Sequence, residues 1–142
     1  MKHLPTTGLI TFAIAGTAWA DGHRSPAPDG ARSYIISPAD GATVSNPVTI
    51  VFGLEGMGIA PAGHEQENTG HHHLLINTTI GDVSLEETLP ATDDIIHFGG
   101  GQTQVTRDLP AGTHTLRILL GDYAHVPHDP PVVSEPITIT VN

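Results

Sequence analysis

Residues 137–141 read Ile137-Thr138-Ile139-Thr140-Val141, and this strict alternation of apolar and polar side chains predicts a β-strand with one buried face. Leu116, Ile118 and Leu120 repeat the spacing in the preceding apolar segment. Similar short runs lie between turn residues along the chain. The predicted strands are residues 34–36, 48–54, 72–78, 83–89, 103–107, 114–120 and 137–141. Residues 91–101 are ambiguous, because their isoleucines could begin a strand or cap a loop. Seven short strands in about 110 residues are typical of an antiparallel β-sandwich of immunoglobulin or fibronectin type, so we expect an all-β fold.

The composition excludes several classes of function. The chain has 142 residues and a formal net charge of −10, with 5 Lys+Arg against 15 Asp+Glu. This charge argues against nucleic acid or an anionic membrane surface as a partner, since both attract clustered Lys and Arg. The absence of cysteine excludes disulfides, zinc sites that use cysteine, and thiol catalysis. Histidine is the unusual feature, because its ten copies outnumber the basic residues.

The first 20 residues have the pattern of a secretory signal peptide. Lys2 supplies the positive charge, residues 8–16 form a short apolar core, and Ala18-Trp19-Ala20 fits a cleavage site. No later segment approaches the roughly 20 apolar residues of a membrane helix. We therefore expect a periplasmic protein without membrane insertion after signal cleavage. Residues 21–32 lack apolar periodicity and predict a disordered linker, which leaves residues 33–142 as the β-sandwich domain.

The histidines fall mainly in connections that share one end of the predicted sandwich. In such a fold the second, fourth and sixth connections emerge together, and here they are the longest, residues 55–71, 90–102 and 121–136. These connections carry or adjoin five histidines that we predict to be metal ligands: His71, His73, His97, His125 and His128. His114 begins the sixth strand at the opposite end, so we expect it to bond a turn carbonyl instead. The roles of His64 and His72 stay open.

The run Gly70-His71-His72-His73 is the first metal-binding motif. On a strand, His71 and His73 share one face about 7 Å apart, while His72 points to the other face. Two such imidazoles can hold one ion at metal–nitrogen distances of about 2.0–2.1 Å. The alternative is a polar strand entrance whose histidines only form hydrogen bonds.

Two loop segments support the same site. The prolines of His125-Val126-Pro127-His128-Asp129-Pro130-Pro131 stiffen the loop, although the histidines there could also simply cap turns. His97 precedes three glycines, which are typical of a flexible turn. An imidazole-only ligand set suits Cu(II) or Zn(II), and Met57 is the only methionine after the predicted signal, which disfavours a methionine-rich Cu(I) carrier.

The motifs also carry a family resemblance. The sequences GHHHLLI at residues 70–76, HFGGGQT at 97–103 and HVPHDPPVVS at 125–134 resemble the periplasmic bacterial proteins classed as domain of unknown function 4399. The similarity covers nearly all of residues 34–142, with Gln104 in place of an expected acidic residue. It implies an exported all-β domain. It implies no activity, because that family is uncharacterised.

Three kinds of function follow from these observations. The first is a periplasmic β-sandwich that binds copper or zinc through the histidine cluster. The second is a non-catalytic module whose loop end binds a protein, a glycan or an envelope component. The third is a metal-dependent enzyme of superoxide-dismutase-like or hydrolytic kind, which needs an open coordination position. No nucleophilic triad or paired acid and base is recognisable, so no catalytic residue is assigned.

Overall fold

The computed structural model describes residues 24–142, which form nine short strands and one 3-10 helix. The predicted signal peptide and residues 21–23 lie outside this part. The strands are β1 (Arg32–Ser37), β2 (Thr43–Val44), β3 (Val48–Glu55), β4 (Gly58–Ile59), β5 (Thr69–Ile76), β6 (Ile95–His97), β7 (Gln104–Arg107), β8 (Gly112–Gly121) and β9 (Ile137–Val141), and the helix is Ile80–Asp82. No helix among residues 24–142 is long and apolar enough to cross a membrane.

Two sheets enclose the core. One has the strand order β1-β3-β7, and the other has the order β2-β9-β8-β5-β4 with β6 paired to β5. Ile50 and Phe52 of β3 pack against Leu74 of β5, Ile118 of β8 and Ile139 of β9. The fold is therefore all-β and consistent with the sandwich that the alternating sequence predicts.

The alternation along β5 decides which way its histidines point. Successive side chains of a strand face opposite sides of the sheet, and Leu74 and Ile76 face the core between the sheets. His72 shares their face and packs against Phe52, with 5.3 Å between ring centroids. His71 and His73 consequently lie on the outer face of the six-stranded sheet.

A long loop covers this outer face. It includes residues 83–89, for which the prediction of a strand is wrong. Leu89 packs with Leu75 and Leu119 in a second apolar cluster, against which Val83 and Leu85 also pack. The apolar side chains of this segment pack onto the outer face of the sheet. The segment is not a strand, because its backbone does not pair with a neighbouring strand. The strand lies instead in the ambiguous region, where β6 pairs with β5.

Residues 24–31 differ from the expected disordered linker. Pro26 forms a parallel bridge with Asp129. The amide of Ala27 donates to the Asp129 carbonyl at 3.0 Å, and the amide of Asp129 donates to the Ser25 carbonyl at 2.9 Å. Backbone hydrogen bonds hold this segment. Such bonds do not depend on the side chains, so the sequence shows no apolar periodicity that could predict them. The predicted domain boundary at residue 33 stays a prediction.

Candidate metal centre

The two outward histidines of β5 are fully buried although they face away from the core. His71 and His73 are each 0 % exposed, and their ring centroids are 4.7 Å apart. Gly121 of β8 leaves the space for one of them, because a Cβ at this position would overlap Cε1 of His73. The strand register thus provides two adjacent imidazoles in a covered site.

His125 reaches the same site from the loop after β8. Its Nδ1 atom lies 2.8 Å from Nε2 of His71 and 3.1 Å from Nε2 of His73. The backbone of His125 has a φ of 62°, a left-handed conformation that is uncommon outside glycine and is enriched at functional sites. Its carbonyl accepts the Leu89 amide at 3.0 Å, so the covering loop also holds it.

The three histidines have the spacing of a metal-ligand set. One ring nitrogen from each of His71, His73 and His125 lies within 4.8 Å of the others. A single Nδ1 of His125 cannot fully satisfy two Nε2 atoms, because a neutral imidazole has only one nitrogen lone pair. The Nδ1 atoms of His71 and His73 are buried and have no hydrogen-bond partner among the described residues. Packing and the Nε2 contacts with His125 therefore position these two rings.

Burial keeps these histidines neutral. It lowers the pKa of His71 to about 4, with a smaller effect from the neighbouring His125. It lowers the pKa of His73 to about 2, with a smaller effect from His71. Burial, followed by the neighbouring His97, also lowers the pKa of His125. The three side chains are accordingly deprotonated near pH 7, which is the form that binds metal ions.

His97 lies beside the three histidines. Its ring centroid is 4.5 Å from that of His73 and 4.4 Å from that of His125. The register explains this position, because β6 pairs His97 directly with His73. Its Nε2 lies 3.2 Å from the Pro90 carbonyl oxygen, so this nitrogen is engaged outside the cluster.

His128 is not brought into this group. Its ring packs against Gly70, a residue that shares the face of His72 and not that of His71. Its Nε2 lies 3.1 Å from the Thr69 carbonyl oxygen. The loop turns between His125 and His128, so that the two rings meet different sides of β5. Whether any of the five predicted residues binds a metal stays a prediction.

The other two histidines outside β5 have clear environments. Nε2 of His114 lies 2.7 Å from the Pro110 carbonyl oxygen, which confirms the expected bond to a turn carbonyl. Its Nδ1 lies 3.0 Å from the side-chain nitrogen Nδ2 of Asn77, so both ring nitrogens are paired. His64 is exposed on the surface.

Asp122 is a residue of the site that we did not predict. Its side chain is buried, with 6 % exposure. Its Oδ1 accepts the amides of Ala124 at 2.9 Å and Val126 at 3.0 Å, which fixes the turn that carries His125. An aspartate directly after a strand is the signal that could have indicated this turn.

One comparison with known proteins bears on this site. The family model described as Domain of unknown function (DUF4399) matches residues 50–142. The chain belongs to the DUF4399 family. No curated protein and no solved structure matches it. The matched part of this DUF4399 protein contains all three clustered histidines and His97.

Proposed function

We propose that this DUF4399 protein is an exported, periplasmic metal-binding β-sandwich whose ligands are His71, His73 and His125. The observation that carries the proposal is the convergence of three ring nitrogens, with Nδ1 of His125 within 3.1 Å of both Nε2 atoms. Three neutral imidazoles in a buried site are a common zinc or copper ligand set. His97 lies beside them, but the three nitrogens that converge belong to the other three histidines, so it is not assigned as a ligand.

Copper and zinc are the metals that we propose for this site. The ligand set is all imidazole, since the chain has no cysteine. At metal–nitrogen distances of about 2.0–2.1 Å, ligands at right angles are about 2.9 Å apart and tetrahedral ligands about 3.3 Å apart. The observed 2.8 Å is close to the right-angled spacing, and 3.1 Å lies midway between the two, so the spacing is compatible with both Cu(II) and Zn(II). The net charge of −10 favours cations in general.

Export is part of the proposal because of the amino-terminal sequence. Residues 1–20 carry the signal pattern, and an imidazole site without thiols functions in an oxidising compartment. Intact mass of the protein from the periplasmic fraction is expected to show a chain that begins at Asp21. Recovery of the full chain from the cytoplasm would contradict export.

Metal analysis of protein purified without a histidine tag tests the binding proposal. We expect one Cu(II) or Zn(II) ion per chain and binding tighter than about micromolar in a titration. The matched control is His64→Ala, which removes an exposed histidine and should leave binding unchanged. Binding weaker than micromolar would overturn the proposal and favour a non-catalytic interaction module.

Gly121→Ala is expected to weaken metal binding about 10–100-fold without removing a ligand, as outer-shell changes do. The added methyl group would push the His73 ring away from the other two histidines. Gly81→Ala is the control, because its Cβ would meet nothing closer than Oγ1 of Thr79 at 3.6 Å. Equal affinities in the two variants would contradict the position of the His73 ring.

A further inference from the structure

An amino-terminal strap, residues 24–27, is fastened to the loop that carries His125. The Arg24 guanidinium donates to the Pro127 carbonyl at 3.0 Å and also to the His128 carbonyl. Two backbone hydrogen bonds join the strap to Asp129. Composition predicts no structure here, yet the side chain of Arg24 is only 14 % exposed. The strap is thus packed against the loop that carries His125 and is hydrogen-bonded to it.

A single buried carboxylate connects the strap to His125. The Ser25 hydroxyl donates to Oδ2 of Asp122 at 2.8 Å, while Oδ1 accepts the amides on either side of His125. The Asp122 carbonyl accepts the amide of His125 itself at 2.9 Å. The Asp122 amide in turn donates to the Val126 carbonyl at 2.9 Å, so Oδ1, the carbonyl and the amide of Asp122 all bond within the turn, while Oδ2 bonds the strap.

His125 needs such support more than the other two histidines. His71 and His73 lie on a central strand whose register fixes them. His125 lies on a loop, with a φ of 62° that costs conformational free energy in any residue except glycine. Without external contacts the loop would sample other conformations, and the three-nitrogen arrangement would be lost for part of the time.

We propose that the strap, acting through Ser25 and Asp122, is a positioning device for His125, and that its docking is coupled to metal occupancy. This inference rests on the proposed metal-binding function. Coupling is reciprocal, because a strap that favours metal binding must itself be stabilised by the metal. The metal therefore fastens the amino-terminal segment to the domain.

Ser25→Ala tests the positioning role in the full chain after signal removal. We expect metal affinity to fall about tenfold, the lower end of outer-shell effects, and Ser25→Thr to restore it because threonine keeps the hydroxyl. Thr49→Ala is the control, since it removes a hydroxyl from an exposed pair with Thr106 on the other sheet. Wild-type affinity in Ser25→Ala, or no rescue by Ser25→Thr, would overturn the proposal.

Hydrogen exchange of the wild-type protein tests the coupling without any variant. Saturating Zn(II) or Cu(II) is expected to slow exchange at the amides of Ala27, Val126 and Asp129 by about tenfold, the same coupling factor. Unchanged exchange at these amides in metal-loaded protein would overturn the proposal. Failure of the wild-type protein to bind either ion would instead overturn the proposed function, so the two failures are distinguishable.

Discussion

Replacing His71 and His73 together by alanine is expected to weaken Cu(II) or Zn(II) binding more than about a hundredfold. Outer-shell changes alone cost about 10–100-fold, and this variant removes two of three ligands. His125 by itself would remain on a half-buried loop, where one imidazole holds an ion weakly. Competition against a chelator of known affinity measures the change.

His125→Ala is a second variant that tests the same claim without opening a cavity at two fully buried positions. Its loss of affinity should be smaller than that of the double variant, because His71 and His73 remain as two of the three ligands. Far-UV circular dichroism shows whether each variant keeps the fold. Retention of wild-type affinity in a folded His71/His73 double variant would show that the ion binds elsewhere.

The metal-free protein is expected to lose stability steeply as the pH falls below about 6.5. His71 and His73 have pKa values of about 4 and about 2 in the folded state, against about 6.5 in the unfolded chain. Between these values the unfolded chain binds more protons, so its free energy falls relative to the folded state. The contribution of the neutral histidines is complete above pH 6.5 and is lost progressively as the pH falls, toward pH 4 for His71 and further for His73. Urea unfolding in the presence of a chelator, from pH 7.5 to 4.5, measures it.

His73→Leu provides the comparison for this pH profile. Leucine removes the buried ionisable group and fills the site with apolar volume, so the free energy of unfolding should depend less on pH. His64→Ala should keep the wild-type profile, because this side chain is exposed. A wild-type free energy of unfolding that is constant from pH 7.5 to 4.5 would contradict the burial of neutral histidines.

The fold could be predicted because its strands carry a periodic signal. The alternation of apolar and polar residues in β8 and β9 predicts strands with one buried face. The short apolar runs between turn residues are typical of a β-sandwich. The segment at residues 83–89 misled the prediction because its apolar side chains cover the outer face of a sheet. An amphipathic covering loop and an edge strand have similar sequences. They differ in whether the backbone pairs with a neighbouring strand, which the local sequence does not show.

The candidate site could be predicted in part for the same reason. The period of two on β5 separates His72 from His71 and His73, and antiparallel pairing brings the end of β8 to the beginning of β5. The different surroundings of His125 and His128 depend on the turn that Asp122 organises, which has no periodic pattern. The strap could not be predicted because it is held by hydrogen bonds of its backbone and of Arg24 and Ser25, which have no periodic sequence pattern.

X-ray absorption spectroscopy of the Cu(II)- or Zn(II)-loaded protein tests whether the three histidines bind one ion, because it counts the imidazole ligands. We expect one ion per chain bound by at least three imidazole nitrogens at about 2.0–2.1 Å, and one imidazole fewer in His125→Ala. A loaded protein with fewer than three imidazole ligands, or a spectrum unchanged by His125→Ala, would contradict the three-histidine site.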